Sequence, residues 1–241
     1  MPRDAWFVGL HVRSPGYHSH HRDLHYVLNS DIADYLPAIK EITDRGGWVI
    51  RMGDPSMPAL AELPKVFDYC HSEIRCDWLD VFLSASCRFF IGTPSGVCYA
   101  PQAYGVPCVL ANWWPPAQRP WHPGDIFVPK RHRRIGTGQF LSLEESLREP
   151  FGYCNSLEHL RQTHGVAVQD CAPEDIRGAV IEMMERLDTS ARYTDTDFAM
   201  RKRAETIYAS VAMELYDSAG AFGSAALARD FLRRNPSFVG A

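Results

Sequence analysis

What this 241-residue sequence lacks narrows it before any motif is read. No apolar run approaches the roughly 20 residues of a membrane span, and no signal peptide is evident at its start, which sets the expectation of a cytoplasmic protein. Its seven cysteines (Cys70, Cys76, Cys87, Cys98, Cys108, Cys154, Cys171) are scattered, odd in number and without a CxxC, so free buried thiols are expected rather than a disulfide framework. An excess of positive charge is missing too. With 25 Lys and Arg against 29 Asp and Glu the net charge is -4, which argues against a general nucleic-acid partner. No repeat, low-complexity tract or Gly/Ser/Pro-rich linker divides the chain, so one domain over residues 1–241 is expected, with helices from about residue 173 onward packed on it. Nor is there a GxGxxG after the first strand or a GxxxxGK[ST], which disfavours a nicotinamide enzyme and a P-loop. Ser95 lies in GTPSG rather than GxSxG, so no hydrolase elbow is indicated.

What is present reads as alternating strands and helices. Residues 88–116 (RFFIGTPSGVCYAPQAYGVPCVLANWWPP) are the stretch around which the rest is arranged. RFFIG has the short apolar character of a buried strand. It breaks at residues 92–96, where Ser95 is placed to cap a helix reaching about Tyr104; Gly105 closes that helix and PCVLA forms the next strand. The start of such a helix presents unpaired N–H groups that suit an anion, and the same turn also reads as an ordinary cap without a ligand.

Ahead of this unit, residues 6–12 (WFVGLHV) predict a buried strand that ends in His11-Val12-Arg13. Alternation puts His11 and Arg13 on one side of it. An Arg at the mouth of a buried strand suits bidentate contact with phosphate; the alternative is a surface Arg paired with a carboxylate. The loop after it carries His18, His20, His21 and His25, but no cysteine stands at ligand spacing, and a solvated loop without metal is expected. Asp31 or Ser30 caps a helix through Arg45. Further strands are predicted at residues 48–52, 66–69, 107–111, 126–129 and 166–169, and helices at 77–85, 143–148, 157–163, 173–187, 198–216 and 225–234. The basic run at residues 130–134 (KRHRR) reads as a solvated loop, and the C-terminal helices as structure.

This order predicts an α/β, Rossmann-like fold: a mostly parallel sheet with helices on both faces. Ligands of such sheets lie beyond the carboxyl ends of the strands. The polar residues expected to gather there are His11, Arg13, Tyr17, Arg51, Asp54, Asp68, Tyr69, Thr93, Ser95, Gly96, Asn112 and Lys130. Arg13 and the residue 92–96 turn together suit a diphosphate.

The order of HVRSPGY, GGWVIRMGDPSM, VFDY, DWLDVFL, RFFIGTPSG, GVPCVLANWWPP, VPK, PEDIRGAVIEMMERL and FLRRNPSF resembles that of a family of bacterial glycosyltransferases, over essentially the whole chain. HVR and FIGTPSG are its most specific blocks. The family is distantly similar to GDP-fucose-dependent fucosyltransferases, which carry an H-x-R motif on the donor half of a GT-B fold. The resemblance implies that Arg13 grips the diphosphate of a GDP- or UDP-linked sugar, with His11 beside it, the Thr93/Ser95 turn closing around the donor, and no cofactor or metal. A GT-B enzyme has two such domains, and this chain opens almost at once on the HVR strand. It therefore resembles the donor half, with a second domain, another protein or a second copy presenting an unknown acceptor. The alternatives are a nucleotide-sugar-binding module without turnover, and an interaction domain that uses Trp113, Trp114, Pro115 and Pro116 as an exposed anchor.

Overall fold

Residues 1–15, 26–217 and 222–240 are described by the structure, a computed structural model. In chain order the strands are β1 (Phe7–His11), β2 (Trp48–Arg51), β3 (Val66–Asp68), β4 (Phe90–Gly92), β5 (Cys108–Trp113), β6 (Ile126–Pro129), β7 (Arg131–Arg134), β8 (Val166–Gln169) and β9 (Ala226–Leu227). Seven of them form one sheet in the order β3-β2-β1-β4-β5-β6-β9, every neighbouring pair parallel, while β7 and β8 make a separate antiparallel ribbon. The first six strands have the Rossmann order, with β1 at the centre. All five residues of β1 are buried, as a continuous apolar run requires in a parallel sheet covered on both faces.

The helices are α1 (Leu36–Asp44), α2 (Asp77–Ser86), α3 (Tyr99–Ala103), α4 (Leu143–Leu147), α5 (Leu157–His164), α6 (Pro173–Leu187), α7 (Asp195–Tyr216) and α8 (Arg229–Arg234). Right-handed crossovers place α1, between β1 and β2, and α3, between β4 and β5, on opposite faces. Accordingly α1 packs on α6, which also covers β5 and β6, whereas α3 packs on α2. Helix α1 is led in by a one-turn 3-10 helix (Ile32–Tyr35) whose cap Asp31 accepts from the Ala33 N–H at 2.9 Å. In α6 Pro173 and the acids Glu174 and Asp175 fill the first turn, and Ile176, Ala179, Val180, Met183 and Met184 face the core. Gly178 lets α8 approach: a Cβ there would stand 2.8 Å from Asp230 Cβ. Buried Glu182 ties three helices together, accepting from Arg186, Arg201, Tyr193 and the Arg229 N–H. All seven cysteines are free. Among the described residues no helix is long and apolar enough to cross a membrane.

The parallel sheet matches the sequence reading; several elements do not. Ser95 stands at the N-cap position but its side chain caps nothing; the helical stretch after it ends at Tyr104 as expected, but its first turn (Gly96–Cys98) is 3-10 and only the five residues of α3 are α-helical. So short a stretch builds little dipole. Residues 225–234 contain the two-residue strand β9, paired in parallel with β6, and only then a helix. Strand β8 joins the ribbon instead of the sheet, and the KRHRR run is its partner β7, with His132 wholly buried. Tyr69 opens a 3-10 turn (Tyr69–His71) after β3 rather than ending the strand. Trp113 and Trp114 are buried, their indole N–H groups donating to the Gln118 and Cys154 carbonyls, so the exposed anchor expected at residues 113–116 does not exist.

Candidate functional site

From β1 the chain proceeds to β2, and from β4 to β5, so the connections diverge where these two central strands lie side by side. A crevice opens at such a point, beyond the carboxyl ends of both strands. Here the two exits are bonded to one another. The Arg13 N–H donates to Thr93 Oγ1 at 3.0 Å, and the Thr93 N–H to the His11 carbonyl at 3.3 Å. Ser95 Oγ lies 3.2 Å from His11 Nδ1, which explains why its hydroxyl does not cap the turn after it.

Beside this junction is a cavity of about 480 Å³, lined by His11, Arg13, Asp54, Ser95 and Gly96 among others. His11 is buried and its imidazole is pulled down to about 4, first by burial and then by the positive charges of Arg13 and Arg51. It is therefore neutral near pH 7. The Arg13 guanidinium is half-buried and makes no hydrogen bond or ion pair among the described residues; burial pulls it below its ordinary value. A partly desolvated cation with no counter-charge is an unfavourable arrangement unless an anion completes it. Gly96 lies on the same wall, and a Cβ there would meet no atom within 4 Å. Asp54 accepts from the Ser56 N–H at 2.9 Å, which with the Ser56 hydroxyl holds its carboxyl below the usual range.

The sequence reading missed Arg75 and Asp80, which line this cavity and face each other at 3.8 Å. A cation just ahead of an acid-bearing helix looks like solvated surface; only the packing of α2 beside α3 brings it to the crevice.

A second cavity, about 460 Å³, lies against Val12, the residue between His11 and Arg13 just past β1, and shares Ser14 with the first. Its cations are already matched. Arg51 is buried, its Nη1 3.2 Å from both Asp68 oxygens and 2.8 Å from the Pro58 carbonyl. Lys130 Nζ is 2.6 Å from Asp170 Oδ1 and 2.7 Å from the Asn29 carbonyl. Asp68, Tyr69, Thr93 and Asn112 line neither cavity. The Tyr69 hydroxyl donates to the Cys76 carbonyl and accepts from its N–H, both at 3.1 Å. Asn112, buried in a left-handed conformation (φ 54), accepts from the Cys171 N–H at 2.7 Å and donates to the Tyr35 hydroxyl at 3.1 Å. Tyr17, His18, His20, His21 and His25 lie outside the described residues.

No protein-family model matches this chain, and no curated protein does. Among solved structures, the dodecameric iron-containing heptosyltransferase TibC in complex with ADP-D-β-D-heptose is similar at 15% identity and a TM-score of 0.44, over 77% of this chain and 47% of that one. The chain thus spans about half the length of that structure. A likeness at this level carries no argument about chemistry, and the α/β, Rossmann-like assignment rests on the strand order itself.

Proposed function

We propose that the cavity at the β1/β4 junction binds the diphosphate of a nucleoside-diphosphate sugar, and that the chain is the donor-binding part of a glycosyltransferase of the GT-B kind. The observation that carries this reading is the half-buried guanidinium of Arg13, without a partner among the described residues, beside an uncharged His11. Arg13 offers a planar fork to two phosphate oxygens. In the tautomer where Nδ1 accepts from the Ser95 hydroxyl, 3.2 Å away, the ring proton of His11 sits on Nε2 and can be donated to a third. As the sugar leaves, negative charge grows on the diphosphate, and a cation already fixed at that place stabilises it without reorganisation. Asp54 is placed to accept from hydroxyl groups of the donor. No metal is needed in this arrangement, since Arg13 supplies the compensating charge. The acceptor would be presented by another domain, another protein or a second copy of the chain.

The test is a thermal-shift and calorimetric panel of GDP, UDP, ADP and their sugars, then a search for sugar transfer. A nucleoside diphosphate at a hundred times its Kd should add about 2.7 kcal/mol, or about 5–10 °C in Tm for a chain of this size. Free nucleoside diphosphate accumulating with a glycosylated acceptor marks a transferase; binding without release marks a module that does not turn over. If none of these compounds stabilises the protein, the reading fails.

A further inference from the structure

One cluster of donor atoms has no part in the diphosphate site. The sequence after β3 reads Asp68-Tyr69-Cys70-His71, and the 3-10 turn at Tyr69–His71 sends Tyr69 into the core while folding the other three side chains onto one point. Cys70 Sγ lies 3.0 Å from Asp68 Oδ1 and 3.1 Å from His71 Nδ1, and His71 Nδ1 lies 3.0 Å from Asp68 Oδ2. Among the described residues this is the one group of three such side chains whose ligand atoms all fall within 4.8 Å.

Protons alone hold this triangle only weakly. Two are available, one on the thiol and one on the ring nitrogen, for three edges. If the thiol donates to Asp68 and the ring N–H also donates to Asp68, the sulfur–nitrogen edge keeps only the weaker arm of a shared N–H, because thiol sulfur is a poor acceptor. If the ring nitrogen accepts from the thiol instead, it has no proton for Asp68, and nitrogen and oxygen lie 3.0 Å apart as two acceptors. A cation at the centre satisfies all three edges together.

We propose that Asp68, Cys70 and His71 hold a divalent cation of the zinc class, with water as the fourth ligand. Carboxylate oxygen, thiolate sulfur and imidazole nitrogen are the three ligand types such an ion takes. With bonds of about 2.0–2.3 Å in a tetrahedron, the ligand atoms stand about 3.3–3.6 Å apart. The present edges are a few tenths of an ångström shorter, a difference that small rotations of the part-exposed His71 and Asp68 side chains would supply. Asp68 is also held from behind, by the Leu60 N–H at 3.0 Å and by Arg51, the kind of support that orients a metal-binding carboxylate. One thiolate and one carboxylate set two negative charges against the ion, the carboxylate being shared with Arg51. Binding converts Cys–SH and M²⁺ to a Cys–S–M bond and one proton released to solvent. Because one proton leaves when the thiolate binds, uptake should strengthen as pH rises. This site is separate from the diphosphate reading and does not depend on it.

The experiment is a Co²⁺ titration of EDTA-treated, desalted protein without nucleotide, with Zn²⁺ competition at its end. The expected result is a near-ultraviolet thiolate-to-cobalt charge-transfer band with visible bands of tetrahedral cobalt, saturating at one equivalent and removed by Zn²⁺. Cys70→Ser should abolish the charge-transfer band. Loss of even an outer partner of a metal ligand costs about 10–100-fold in affinity, so His71→Ala should cost at least that much. Cys76→Ser, at an exposed free thiol six positions on, should leave the band unchanged. If Cys70→Ser melts early, His71→Ala carries the test, because its side chain is partly exposed. No thiolate band in excess Co²⁺, or a band that survives Cys70→Ser, overturns the site.

Discussion

Arg13 is the residue at which placement and chemistry are most closely joined. Its backbone N–H is fixed by Thr93, while its side chain has no partner among the described residues. Arg13→Ala should therefore leave Tm almost unchanged and weaken nucleoside-diphosphate binding by about 2–5 kcal/mol, read by calorimetry; unchanged affinity would make Arg13 ordinary surface. His11 gives a pH signature. Its imidazole falls from 6.5 to about 4 on folding, so the folded protein binds that proton more weakly than the unfolded chain. The contribution, about 3 kcal/mol, is fully present above pH 6.5 and is lost as pH falls towards 4. His132, buried without a hydrogen-bond partner and also pulled down to about 4, acts in the same direction. His11→Gln should thus remove part, not all, of the fall in urea midpoint between pH 7 and 4.5; a slope identical to the parent's would mean His11 titrates normally. His11 and Arg13 were legible because strand alternation puts both on one side at a strand end. Arg75 was not, since no local pattern announces which surface cation a distant helix pair will bring to a crevice.

At the scale of elements, the proposed site would use the turn after β4 as a wall and through its contact with His11 rather than through a helix dipole. Gly96 has open space where a side chain would go and lies outside the left-handed region. Gly96→Val should therefore fold normally yet occupy the cavity, lowering nucleotide affinity several-fold more than Ser95→Ala. The alanine removes one hydroxyl and should cost about 1 kcal/mol. If both variants bind as the parent does, the ligand lies elsewhere. Asn112 should behave in the opposite way. Its amide bridges β5 to Tyr35 and Cys171 inside the protein, so Asn112→Ala should destabilise by about 2–4 kcal/mol in urea while leaving the remaining folded protein's affinity intact. A selective loss of affinity would restore Asn112 to the site. The long helices were readable because Pro, acids and a sustained apolar face coincide over many residues, as in α6. Strand β9 was not, because two residues carry no period and its pairing with β6 is set by the chain's return across the whole sheet.

For the whole molecule, the two cavities differ in how their cations are matched. The second has its cations paired with Asp68 and Asp170, whereas Arg13 in the first has no counter-charge among the described residues. Donor binding should accordingly survive EDTA with a change in Kd smaller than about twofold, even if the chelator strips an ion from Cys70 and His71. A strict need for Mg²⁺ or Mn²⁺ would contradict charge compensation by Arg13. The parallel sheet was legible as a class from alternating elements, and its strand order was not: the same succession of strands and helices allows more than one arrangement, and only the packed helices select between them.

The sheet's margins carry one more consequence. Its outermost strands, β3 and β9, are three and two residues long, and the side of β7 away from β8 is bridged by Phe140, with the Leu141 N–H donating to the His132 carbonyl. Long bare edges are templates on which a second chain can add a strand, and brevity and cover are two ways of denying that template. Main-chain zippering, the first step towards amyloid-like association, finds almost nothing here to copy. What the surface offers a neighbour instead is side chains, such as the stacked and exposed pair Trp78 and Phe82, whose ring centres are 5.4 Å apart.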